Sequence, residues 1–154
     1  SSEKTEKNLG HGRLWRFVPL ILWICVIFYS STGNASMAKT SGFLRPLLEM
    51  LFTSEDTIYL VNVIIRKIAH LTYYALLASL TIFAFIGSPF DWIRKNWMWS
   101  VLGLVLVVAS IDEFIQSFYP SRGSSIWDVM LDCVGGGIII LFTKFFFSFT
   151  RNNR

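Results

Sequence analysis

The sequence predicts an all-α integral membrane protein, a bundle of four transmembrane helices with a short amphipathic segment in the interface between helices one and two. Hydrophobic residues make up 53% of its 154 residues and charged residues only 16%, against roughly 25% charged in soluble domains. The apolar residues gather in four continuous runs, each close to the ~20 residues a helix needs to cross about 30 Å of hydrocarbon. Continuous runs, unlike alternating ones, exclude the strands of a membrane barrel. The length suits one domain over residues 1–154.

The first helix is expected over residues 14–31, entered through Arg13 and Arg16. Its basic flank and apolar centre also resemble a secretory signal, but it is read here as a retained helix. Residues 41–52 form the amphipathic segment, and the apolar stretch 57–65 extends the next helix outward. The second helix covers 66–87, opening at Arg66 and Lys67 and closing at Gly87, Ser88 and Pro89. The third covers 97–118 with an almost purely aliphatic centre, and the fourth covers 126–149. Lys and Arg favour the cytoplasmic side of a membrane. With the N-terminus inside, nine lie on the inner side and Lys39, Arg45, Arg66, Lys67 and Arg122 on the outer. Both termini of a multi-pass protein are therefore expected in the cytoplasm. Trp15, Trp92, Trp97 and Trp99 then form an inner aromatic belt, and Tyr29, Tyr119 and Trp127 an outer one.

The polar residues within the runs share one level. At about 1.5 Å per residue, Asp112, His70, Asp132 and Asp128 lie roughly 22–31 Å from the inner end of their helices. Arg66, His70 and Tyr74 recur every four residues along one stripe; Asp112, Glu113 and Gln116 share an arc; Asp128 and Asp132 share a stripe that continues into Gly135, Gly136 and Gly137. Missing side chains at those glycines let a neighbouring helix approach closely. Arg122, in the turn between helices three and four, can fold back over the same place. Ionisable groups in a bilayer are costly and usually serve a function. The alternative is that they only lock the helices together.

Net charge of +4 comes from scattered basic residues, not from a patch that would bind nucleic acid. Cys25 and Cys133 lie in apolar runs and read as small packing residues. A divalent ion held by His70 with Asp112, Glu113 and Asp128 is an arrangement these residue types allow, but the sequence assigns no cofactor, metal or oligomeric state.

Three pieces resemble the VanZ-like family of small bacterial membrane proteins. Phe28, Tyr29, Ser30 and Ser31 close the first helix; Arg66, Lys67, Ala69, His70 and Tyr74 are similar to an RKxAH…Y pattern; and Asp112, Glu113, Gln116, Pro120, Arg122, Asp128, Val129, Asp132 and Gly135 are similar to a DExxQ…PxR…DV…G signature. The sequence departs from the pattern at Tyr73, where many relatives carry an acid, and at Ser121, where glycine is common. The resemblance implies a cell-envelope role at the outer leaflet of the bacterial cytoplasmic membrane, linked to low-level teicoplanin resistance.

The candidate site follows from both lines of reasoning. His70, Asp112 and Glu113 are the candidate acid–base groups, since an imidazole titrates near neutrality and a carboxylate can orient it. Arg66, Lys67, Tyr74, Gln116, Arg122, Asp128 and Asp132 are candidate binding residues, the arginines through forked donors that suit phosphate or carboxylate. Ser31 is a weaker candidate nucleophile. The expected partners are the lipid bilayer and a lipid-linked or glycopeptide-type envelope molecule. Whether the protein is an enzyme, a binding protein or a helix-locking scaffold stays open; a transporter fits less well, because transport sites lie near the midplane.

Overall fold

A computed structural model describes residues 14–32, 37–119 and 125–152, and among these every regular element is helical. The elements are α1 (Phe17–Ser31), α2 (Met37–Leu51), α3 (Glu55–Ile86), α4 (Asp91–Lys95), α5 (Trp97–Ser117) and α6 (Ile126–Asn152). Three of them, α3, α5 and α6, are long and apolar enough to cross a membrane, so the chain is a multi-pass membrane protein. The fourth apolar helix, α1, is shorter: its 15 residues span about 22 Å at the helical rise.

Helix α3 begins at Glu55 instead of Arg66, because the apolar stretch 57–65 continues it without a break. Glu55 and Asp56 in its first turn suit the positive end of the helix dipole. Its 32 residues reach about 48 Å, well beyond the hydrocarbon, and place His70 in the interior of the helix. Pro89, which cannot extend a helix, follows its end at Gly87 and Ser88. The amphipathic segment is α2, which carries Pro46 and leans on the projecting start of α3. Leu48 and Ile58 are buried there, and Arg45 bonds Glu49 at 2.7 Å and pairs with Glu55 at 3.4 Å.

Cross-helix contacts fix the directions. Trp15 packs edge-on against Phe83 and Trp23 against Tyr73, so α1 runs antiparallel to α3. The Trp23 indole donates to the Tyr73 carbonyl at 3.1 Å, and the Arg16 guanidinium lies 4.8 Å from the Phe83 ring centre. Trp97 at the start of α5 meets Phe147 near the end of α6. Lys67 meets Asp128 and His70 meets Asp132, so α3 and α6 run parallel. The result is an up-and-down bundle with α3 in contact with all the other helices and most extensively with α6.

Polar and apolar residues are inverted relative to a soluble bundle. Leu22, Val107, Ile138 and Phe142 face outward, whereas Asp112, Glu113, Gln116 and Asp132 are buried. An apolar exterior of this extent suits lipid. Ser30, Thr72, Thr81 and Ser110 each donate to the carbonyl four residues earlier, so their hydroxyls need no other partner in lipid. The interior between the helices is filled by Leu20, Ile27, Leu77, Ala78, Val101, Val105 and Ala109.

Candidate functional site

The glycines of α6 set the geometry of the polar end. A Cβ at Gly135 would stand 2.8 Å from the Leu71 carbonyl oxygen, and one at Gly136 would stand 3.0 Å from Val105. Gly137 faces open space. Two of the three glycines therefore mark close approaches, Gly135 to the backbone of α3 and Gly136 to a side chain of α5. Asp132 lies one turn before Gly135, and His70 precedes Leu71. The approach of α6 to α3 carries both groups inward together.

Around this junction the structure brings together Ser31 of α1, Arg66, Lys67, His70 and Tyr74 of α3, Asp112, Glu113 and Gln116 of α5, and Asp128 and Asp132 of α6. Arg122, Ser121 and Pro120 lie outside the described residues. Tyr74 donates to Asp112 Oδ2 at 2.9 Å. The Ser31 hydroxyl lies against the other Asp112 oxygen, Oδ1, and also 2.7 Å from the Ile27 carbonyl. A hydroxyl has one proton, so these two acceptors share it. Asp112 thus joins α1, α3 and α5 through buried groups.

Nearer the rim the pairs are looser. Lys67 Nζ meets Asp128 Oδ1 at 2.8 Å, with the lysine side chain 50% exposed and the aspartate 15%. Arg66 donates to Gln116 Oε1 at 3.5 Å. The Ser125 amide donates to Glu113 Oε2 at 3.0 Å, while Glu113 Oε1 accepts no hydrogen bond among the described residues. Exposure falls from Lys67 through Asp128 and His70 to Asp132, which is 0% exposed.

Asp132 is the anomaly. Its carboxylate is wholly buried, and neither oxygen accepts a hydrogen bond among the described residues. His70 Nδ1 lies 3.4 Å from Asp132 Oδ1, within ion-pair range but without the alignment of a hydrogen bond. A buried charge normally has both an opposite charge and hydrogen bonds. His70, Asp112 and Asp132 each bring one donor atom to a common point, all within 4.8 Å of one another. The set of residues that could share a cation differs from the one the residue types allow in sequence: Asp132 joins His70 and Asp112, whereas one oxygen of Glu113 is engaged by Ser125 and Asp128 by Lys67.

Sequence reasoning placed these side chains at one level but missed two features. It offered Ser31 as a weaker candidate nucleophile without finding its neighbour: at 2% exposure the hydroxyl lies against Asp112. It also had no means of finding the Ser125 amide, because a backbone donor carries no sequence signal. Tyr73 packs on Trp23 and does not enter the cluster, so its departure from the family pattern leaves the site's charge untouched.

A cleft between α2 and α3, lined by Arg45, Leu48, Glu55, Ile58, Tyr59 and Asn62, shares no residue with the cluster. No curated protein and no solved structure matches the chain. The model of one family, VanZ/LLP1, matches residues 16–147 and so takes in every helix that contributes to the polar cluster. With its apolar bundle and that match over most of its length, the chain belongs to the VanZ/LLP1 family of proteins.

Proposed function

We propose that the protein acts at the extracytoplasmic edge of the bacterial cytoplasmic membrane, where its polar site binds or modifies a lipid-linked or glycopeptide-type envelope molecule and lowers susceptibility to teicoplanin. One observation carries this reading: polar side chains from four helices converge at one end of an otherwise lipid-facing bundle, and among the described residues His70 Nδ1, Glu113 Oε1 and both Asp132 oxygens are left without a hydrogen bond. Groups that served only to hold helices would be expected to pair fully, since an unsatisfied buried polar group costs about 1–3 kcal/mol. Lys67 and Arg66 at the rim suit an anionic headgroup or a carboxylate. His70, 14% exposed, stands between rim and interior and is the candidate for proton transfer. Binding alone would also fit this arrangement.

The second reading, a helix-locking scaffold, draws on the Ser31–Asp112–Tyr74 connection, in which a buried carboxylate ties three helices. A paired measurement separates the two. His70→Ala and Glu113→Gln are expressed in a teicoplanin-sensitive host, and susceptibility is measured beside the amount of monodisperse protein recovered in detergent. The site reading expects lost protection from protein that is still folded. Loss of protection strictly in step with loss of folded protein would overturn it.

A further inference from the structure

We propose that His70, Asp112 and Asp132 form a binding site for a single first-row divalent cation of the Zn²⁺ or Mn²⁺ type. The inference stands on the geometry of these three side chains and does not depend on the envelope ligand proposed above.

The decisive residue is Asp132. It is 0% exposed and neither of its oxygens accepts a hydrogen bond among the described residues, yet it points at two other metal-binding groups within 4.8 Å. Donor atoms about 2.0–2.1 Å from a tetrahedral Zn²⁺ stand about 3.3 Å apart. His70 Nδ1 and Asp132 Oδ1 are already 3.4 Å apart and are not aligned as a hydrogen bond. A shared ion explains both the spacing and the missing bond. It would also explain how a carboxylate is kept buried beside an imidazole that binds metal in its neutral form, because the ion itself supplies the compensating charge.

The surroundings of Asp112 suit the same role. Ligating carboxylates are usually held by further hydrogen bonds, and Asp112 has Tyr74 on one oxygen and Ser31 on the other. One imidazole with two carboxylates is a borderline donor set, which favours Zn²⁺ or Mn²⁺ over the all-oxygen sites of Mg²⁺ and Ca²⁺. The partly exposed His70 and Asp128 lie on the side from which an ion would enter.

The test uses the full chain purified in detergent, stripped with EDTA and then given Zn²⁺, Mn²⁺, Mg²⁺ or Ca²⁺, each alone. Metal retained after gel filtration is measured by elemental analysis, beside the melting temperature. The expected result is one ion per chain and a rise in Tm of roughly 5–10 °C at a hundredfold excess over Kd. Asp132→Asn should lose both effects, and its metal-free form should melt at or above the metal-free wild type, because a buried charge without a hydrogen bond has been removed. Asp91→Asn, at the opposite end of the bundle, should retain both. If Asp132→Asn does not fold, His70→Gln provides the same comparison. The proposal is overturned if no ion is retained, if the variants retain it as well as the wild type does, or if Mg²⁺ or Ca²⁺ is taken in preference. It is overturned equally if metal-free Asp132→Asn melts well below the metal-free wild type, since Asp132 would then be serving the fold through His70.

Discussion

At Asp112 two carboxylate oxygens meet two hydroxyls from different helices, and neither hydroxyl is exposed to solvent. Tyr74→Phe keeps the ring and removes the donor, so it leaves a buried acceptor short of one partner. The expected cost is about 1–3 kcal/mol, read as a lower melting temperature in detergent. Ser31→Ala should act in the same direction by a smaller amount, since the serine proton is shared with the Ile27 carbonyl. Lys67 and Asp128 differ from these groups because the lysine side chain is half exposed. A double-mutant cycle of Lys67→Met and Asp128→Asn should give a coupling below about 1 kcal/mol. A larger value would mean that the rim is as tightly organised as the interior.

Between elements, the contact of α6 with α3 turns on a single absent side chain. Alanine exceeds glycine in helix propensity by about 1 kcal/mol, so Gly→Ala in an open helical position should stabilise. That is the expectation at Gly137, which faces open space. At Gly135 the added carbon would stand 2.8 Å from the Leu71 carbonyl oxygen. Backbone cannot rotate aside, so Gly135→Ala should push α6 away from α3 and lower the melting temperature. Gly136→Leu should also destabilise, because Val105 already lies at 3.0 Å from the position of a Cβ. Opposite signs at Gly135 and Gly137 would separate packing from propensity, and equal effects would show that the close approach is not limiting.

Across the whole molecule, the alternating directions of α1, α3, α5 and α6 place Leu14 and Asn152 at the same end. The distribution of Lys and Arg then argues that this end is cytoplasmic. In a background with Cys25 and Cys133 replaced, Ser121→Cys should react with an impermeant thiol reagent in intact cells and Asn152→Cys should not. The reverse pattern would invert the orientation, and with it the leaflet at which the polar site opens.

The sequence by itself determined the class of fold and the level of the polar residues. Long uninterrupted apolar runs have one economical structure in lipid, because only a helix satisfies its own backbone there, and helical periodicity places His70, Asp112 and Asp132 on definite stripes. It also indicated that the glycines of α6 meet a neighbour. It indicated that the apolar stretch 57–65 extends the second helix outward, but it did not determine that one unbroken helix runs back to Glu55. Nor could it choose partners among side chains at one level, because stripes specify direction along a single helix and say nothing of rotation between helices. Only the tertiary structure decided that Asp112 is held by Ser31 and Tyr74, that Glu113 is bonded by Ser125, and that Asp132 is left facing His70 without a hydrogen bond. Those pairings depend on how far each helix is turned about its axis, and that turn is set by close contacts such as Gly135 against Leu71.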